Sequence, residues 1–110
     1  MNKIKCNFNN EMLIKIGKIK PFFNICKVTN LKEICNIKIE YIPNMNVVEL
    51  ESYRDFFLKV FNDYIETIAN DTFNILKNLL EPKYLKVTIY LDDERLTPWS
   101  VSIEGGYKNE

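Results

Sequence analysis

The sequence predicts an α+β fold in the order β-β-α-α-β-β: an antiparallel sheet with two helices on one face. Three observations predict it. Residues 34–41, 85–91 and 99–104 alternate apolar and polar positions, the period of half-buried strands. Between them, from 47 to 80, apolar residues recur at spacings of three and four, the period of amphipathic helices. Two helical stripes and a sheet's apolar face are buried together when the helices stack on that face. The length of 110 residues is that of one domain, expected over 1–110. Its core is small enough to make oligomerisation a natural way to bury more apolar surface.

The elements follow in order. Positions 11–25 alternate in part and predict strand, broken near Gly17 and Pro21. In 34–41, Cys35, Ile37, Ile39 and Tyr41 face one way, and Asn36, Lys38 and Glu40 the other. Pro43 and Asn44 close that strand. Val47, Leu50, Tyr53, Phe57, Leu58 and Phe61 trace a first helix. Asn62 and Asp63 are cap candidates for a second, whose stripe is Ile65, Ile68, Ala69, Phe73, Leu76, Leu79 and Leu80. Pro82 stops it. Leu85, Val87, Ile89 and Leu91 predict another strand, Asp92–Arg95 a turn, and Trp99, Val101 and Ile103 the last strand, ended by Gly105 and Gly106.

Charge balances overall, with 15 basic and 15 acidic side chains, yet unevenly along the chain. Residues 1–40 hold eight lysines against Glu11, Glu33 and Glu40, a net of +5, and the remainder carries −5. Such a basic half either forms a patch for phosphate or nucleic acid, or is a set of solvated lysines on exposed strand faces. No apolar run is long enough to span a membrane, and no secretory signal is evident. Three cysteines, an odd number, fit a cytoplasmic protein with reduced thiols. With no histidine and no C-x-x-C pair, a metal site is not expected.

The chemistry-bearing stretch is N-I-C-K-V-T-N-L-K-E-I-C-N, residues 24–36. Cys35 lies on a strand's apolar face, and Cys6 also reads as a small buried hydrophobe. Cys26 sits in a polar loop, which leaves it open as structural thiol or nucleophile. By residue type, Glu33 reads as a solvated strand-start residue and Glu66 as a first-turn carboxylate favoured by the helix dipole. Trp99 reads as core or subunit interface.

Four stretches in order resemble the 7-cyano-7-deazaguanine (nitrile) reductase family of the tunnelling-fold superfamily: C-K-V-T-N-L-K-E (26–33), I-E-Y-I-P-N (39–44), V-V-E-L (47–50) and L-L-E-P-K-Y-L-K-V (79–87). The resemblance implies a tunnelling fold (T-fold) whose copies close into a barrel, with active sites between subunits. It places Cys26 on the nucleophile and Glu33 on the acid seven residues later, with Lys27 where the family has proline and Asn30 where it has glycine. The family's cofactor motif on the first helix reads E-L-E-S-Y-R-D-F here: Glu49, Leu50 and Ser52 match, while Glu51 replaces a lysine and Arg54 another. A carboxylate where a cation should meet phosphate argues against NADPH. Glu66 falls on the residue that binds the guanine-like edge of the base, and Ile65 on a lost histidine. One carboxylate accepts from two adjacent N–H groups, as that role needs.

A thiolate adding to a nitrile carbon gives a covalent thioimide, with Cys26 as nucleophile, Glu33 as its proton partner, and Lys27 or Lys32 available to lower the thiol's pKa. Ammonia then gives an amidine without cofactor, as in the QueF-like amidinotransferases that form archaeosine in tRNA. Hydride from NADPH instead gives the amine of the queuosine route. The short chain, absent cofactor lysines and basic first half favour the amidinotransferase. The expected partners are 7-cyano-7-deazaguanine or tRNA carrying it, ammonium, and further copies of the chain, with no membrane. An inactive purine- or tRNA-binding T-fold module is the third reading.

Overall fold

The structure is a computed structural model in which residues 1–91 and 99–106 are described. Its strands are β1 (Lys3–Lys5), β2 (Ile14–Ile16), β3 (Phe22–Ile25), β4 (Lys32–Ile42), β5 (Asn46–Val48), β6 (Val60–Phe61), β7 (Tyr84–Leu91) and β8 (Trp99–Gly106). Its helices are α1 (Leu50–Phe56), between β5 and β6, and α2 (Ile65–Leu80), between β6 and β7. The expected antiparallel core is present as β3-β4-β7-β8. Its register pairs Cys35 with Leu91, Ile37 with Ile89, Ile39 with Val87 and Tyr41 with Leu85. Directly paired residues share a face, so these eight make one apolar surface. Tyr53 of α1, Phe57 at its C-cap and the α2 stripe join it in one buried cluster, which puts both helices on that face.

The strand break expected at Gly17 and Pro21 is real. β2 and β3 both pair antiparallel with β4, β2 along Ile39–Tyr41 and β3 along Lys32–Cys35. Asn36 spans the gap between them. Its Oδ1 accepts from the Ile19 N–H at 3.1 Å, and its Nδ2 donates to the Ile19 carbonyl at 3.1 Å. This side chain thus imitates a strand pair, and it is buried although its strand position faces away from the helices.

The first helix is shorter than its spacing predicts. Val47 and Val48 belong to β5, which pairs with β1, and Val60 and Phe61 form β6, parallel to β3. Glu49 ends β5's influence by capping α1: its carboxylate accepts from the N–H groups of Glu51 at 3.1 Å and Ser52 at 2.6 Å. At the far end, Phe57 N–H bonds Arg54 O and Leu58 N–H bonds Asp55 O, a tightened last turn. α2 is capped at Tyr64 rather than Asn62 or Asp63; Asp63 Oδ1 accepts only as far as Tyr64 N–H, at 2.8 Å. It ends with Glu81 in the left-handed region, φ 46°, whose N–H bonds Lys77 O before Pro82.

Trp99, expected in core or interface, is 39% exposed on the edge strand β8. Cys35 is fully buried as expected, while Cys6 is only half-buried. The turn expected at Asp92–Arg95 lies outside the described residues. Among the described residues no helix is long and apolar enough to cross a membrane.

Candidate active site

Cys26 opens the turn that joins β3 to β4. Its N–H donates to Leu31 O at 2.9 Å, and its carbonyl accepts from Asn30 N–H at 2.9 Å. Closing so tight a turn needs one residue at positive φ, and Asn30 supplies it at 60°. Asparagine tolerates this region best after glycine, which accounts for its standing where the family has glycine. The thiol itself is half-exposed.

That turn wraps donors around the sulfur. The Thr29 hydroxyl and then the backbone N–H groups of Thr29 and Val28 favour the thiolate and lower the Cys26 pKa from the usual thiol value. The lowering comes from the turn's own donors, not from Lys27 or Lys32. Lys27 Nζ lies 3.6 Å from Asp63 Oδ1 and 5.6 Å from the Tyr64 ring centroid, and Lys32 Nζ lies 4.1 Å from the Phe23 ring centroid.

Glu33 is buried on the helix face of β4, opposite Asn24 in the register. Its charge reaches Cys26, where it opposes the thiol's ionisation. Asn24, 0% exposed, is the hub. Its Nδ2 donates to Glu33 Oε1 at 2.8 Å and to Asp63 O at 2.8 Å, and its Oδ1 accepts from Asp63 N–H at 3.0 Å. Three bonds from one amide tie β3, β4 and the start of α2 together. Lys27 adds a second link through Asp63 and Tyr64. Glu66, exposed in the first turn of α2, therefore projects from the same end of the molecule as the Cys26 turn. Ile65, on the family's histidine place, is 3% exposed and faces the core.

Glu49, Leu50 and Ser52 lie elsewhere. Val48 N–H donates to Tyr41 Oη at 3.2 Å, so the start of α1 sits at the Tyr41 end of β4. Glu33 and Tyr41 are eight residues apart on that strand, about 26 Å. Within one chain the two groups do not meet. Glu49's carboxylate serves as the α1 cap, which lowers its pKa, chiefly through the Ser52 N–H. Ser52 Oγ donates to Glu49 O at 2.8 Å and accepts from Asn2 N–H at 2.8 Å. Leu50 is 48% exposed.

Sequence reasoning missed Asn24, Asp63 and Tyr64. The available signal was an amide at an inward position of F-F-N-I, since a buried polar residue implies partners. Among the described residues no group of three or more His, Cys, Asp or Glu could hold a metal.

An antiparallel sheet carrying two helices on one face is the arrangement of a tunnelling-fold domain, and the half-exposed Cys26 in its β3–β4 turn is the candidate nucleophile. A solved structure described as the archaeosine synthase QueF-Like in the apo form matches it with a TM-score of 0.74 at 22% identity, covering 86% of this chain and 93% of that one. No family model matches the chain. An NADPH-dependent 7-cyano-7-deazaguanine reductase of Chlorobium chlorochromatii is 34% identical over 82 residues, 72% of this chain and 69% of the relative. One from Campylobacter lari is 35% identical over 81 residues, 71% of this chain and 62% of the relative. One from Aquifex aeolicus is 35% identical over 68 residues, 60% of this chain and 53% of the relative. The chain belongs to the 7-cyano-7-deazaguanine reductase family.

Proposed function

We propose that this protein captures the nitrile of 7-cyano-7-deazaguanine as a thioimide on Cys26 and converts it to an amidine with ammonia, as an archaeosine-forming amidinotransferase on tRNA. One observation carries the reading: Cys26 stands half-exposed in a turn whose donors lower its pKa, beside a buried, positioned carboxylate. The Cys26 sulfur bonds to the nitrile carbon while the nitrile nitrogen gains a proton, for which Glu33 is the proposed donor. Ammonia then bonds to the same carbon, the C–S bond breaks, and Cys26 leaves as thiolate, to be reprotonated. Glu66 is proposed to hold the base's N–H edge. A homo-oligomer is proposed as the partner arrangement; Glu49, Leu50 and Ser52 lie too far from Cys26 within one chain to serve its chemistry, and any part they took in base binding would come from another copy.

The names of the sequence relatives favour a second reading, NADPH-dependent reduction of the same thioimide. The residues of α1 do not fit that cofactor well. The helix reads L-E-S-Y-R-D-F, with exposed Glu51 and Asp55 beside Arg54, so two carboxylates and one guanidinium would face an anionic dinucleotide.

Mass spectrometry after incubation with 7-cyano-7-deazaguanine tests the shared step. An adduct on Cys26, lost in Cys26→Ala, is expected; no adduct under any condition would favour a non-catalytic purine- or tRNA-binding module. Ammonium-dependent product on tRNA without NADPH is expected next, whereas NADPH consumption with the free base would select the reductase.

A further inference from the structure

Two buried amides brace the sheet, and they have different partners. Asn36 bonds backbone groups of Ile19 and Ile37. Asn24 bonds the Asp63 backbone and, in addition, the Glu33 carboxylate. The partners fix which way the Asn24 amide points. Nδ2 carries two N–H groups and meets two acceptors, Glu33 Oε1 and Asp63 O, both at 2.8 Å. Oδ1 meets a donor, Asp63 N–H, at 3.0 Å. Turning the amide over would set oxygen against two acceptors and N–H against a donor, losing all three bonds. Glu33 Oε1 is therefore committed to accepting, and a proton on Glu33 has Oε2 as its place.

Among the described residues Asn24 gives the Glu33 carboxylate its one hydrogen bond, so Oε2 has no protein partner there. Nor is Oε2 sealed in the core, as the orphan hydroxyls of Tyr53 and Thr72 are. Cys26 lies two residues beyond Asn24, about 7 Å of extended chain, and the charge of Glu33 is felt at its thiol. We propose that Asn24 is a positioning residue for nitrile addition at Cys26: it holds Glu33 Oε1 as an acceptor, so that Oε2 carries and delivers the proton. The inference rests on the reading of Cys26 as nucleophile and Glu33 as proton donor. As Cys26 Sγ bonds to the nitrile carbon, one carbon–nitrogen π pair moves to nitrogen and takes the proton from Oε2. Glu33 is left as a carboxylate whose Oε1 still accepts from Asn24. An unanchored carboxyl would turn its acidic oxygen away for part of the time, which lowers rate rather than affinity for the base.

The test compares two reactions of Cys26. Nitrile addition needs a proton donor, whereas alkylation by iodoacetamide, in which the thiolate displaces iodide, needs none. In Asn24→Ser with a native circular-dichroism spectrum, adduct formation at saturating 7-cyano-7-deazaguanine should slow at least about tenfold. The half-saturating concentration and the alkylation rate should stay near those of wild type. Asn24→Thr, a better strand former, should behave alike. Asn36→Ser, at the other buried amide, should leave the adduct rate unchanged. In a Glu33→Gln background, itself slowed, Asn24→Ser should add no further loss, because the two residues act as one unit. Wild-type adduct rates in a folded Asn24 variant overturn the proposal. An equal fall in alkylation also overturns it, since the turn would then be displaced. So does an equal fall in Asn36→Ser, or an undiminished further loss in the Glu33→Gln background. No adduct in wild type removes the thioimide reading and this inference with it. A wild-type adduct whose rate ignores Asn24 refutes this inference alone.

Discussion

Glu33 and Glu49 stand at opposite ends of β4, and each carboxylate is held by a different kind of partner. Glu33 is buried and bonded by a side chain, Asn24, that also fixes the start of α2. Glu49 is bonded by N–H groups of the helix it caps. The first arrangement joins three elements and leaves a thiol open beside it. The second satisfies a local helix end and uses the carboxylate in doing so. A resemblance in sequence gives both glutamates equal standing, whereas the chemistry open to each depends on what its nearest backbone has already taken.

The largest effect should come from Cys26→Ala, which removes all covalent labelling by 7-cyano-7-deazaguanine and leaves the circular-dichroism spectrum unchanged. In the same assay Glu49→Gln should label. If it folds normally yet fails to label, the α1 end belongs to the reacting centre through a second copy, and the contrast between the two ends collapses. Next comes Asn24→Ala. It deletes three hydrogen bonds of a fully buried side chain and strands the Glu33 carboxylate and the Asp63 backbone. Denaturant unfolding should show a loss of about 2–4 kcal/mol.

Glu49→Ala, which removes only a local helix cap, should lower stability by about 1 kcal/mol in the same experiment. Equal losses from Asn24→Ala and Glu49→Ala would erase the distinction between a tertiary hub and a local cap. The smallest effect sharpens the Cys26 end. Only the thiolate is alkylated, and the turn lowers the thiol's pKa, so the iodoacetamide rate should rise with pH around a midpoint below that of an ordinary thiol. Thr29→Val removes the largest cause of that lowering. The midpoint should move up and the rate at neutral pH should fall, while denaturant stability stays nearly unchanged.

Much of the fold was legible from period alone. The alternation of Cys35, Ile37, Ile39 and Tyr41 appears as four buried side chains, and the stripe from Ile65 to Leu80 as α2. The break at Gly17 and Pro21 separates β2 from β3 as expected. The first helix was overextended because Val47, Val60 and Phe61 satisfy a spacing of three and four by coincidence. Their real partners are β1 and β3, far away in sequence. Asn36 was placed on the polar face, and its burial came from Ile19, 17 residues earlier.

The candidate site divides in the same way. Cys26 in a polar turn and Asn30 where positive φ is needed are local features, settled by residue type and a short turn, whereas Glu33, which residue type reads as solvated, is buried because Asn24 bonds it. The alternation that places Cys35 in the core is likewise local, because pleating turns period directly into face. Tertiary structure decided which polar groups remained available. Asn24 became the hub only when Asp63, 39 residues later, was brought to it, and Glu49 became a cap only when β5 ended where α1 began. These outcomes depend on which distant backbone or side chain satisfies a given polar group, and no periodicity within a single element encodes that choice.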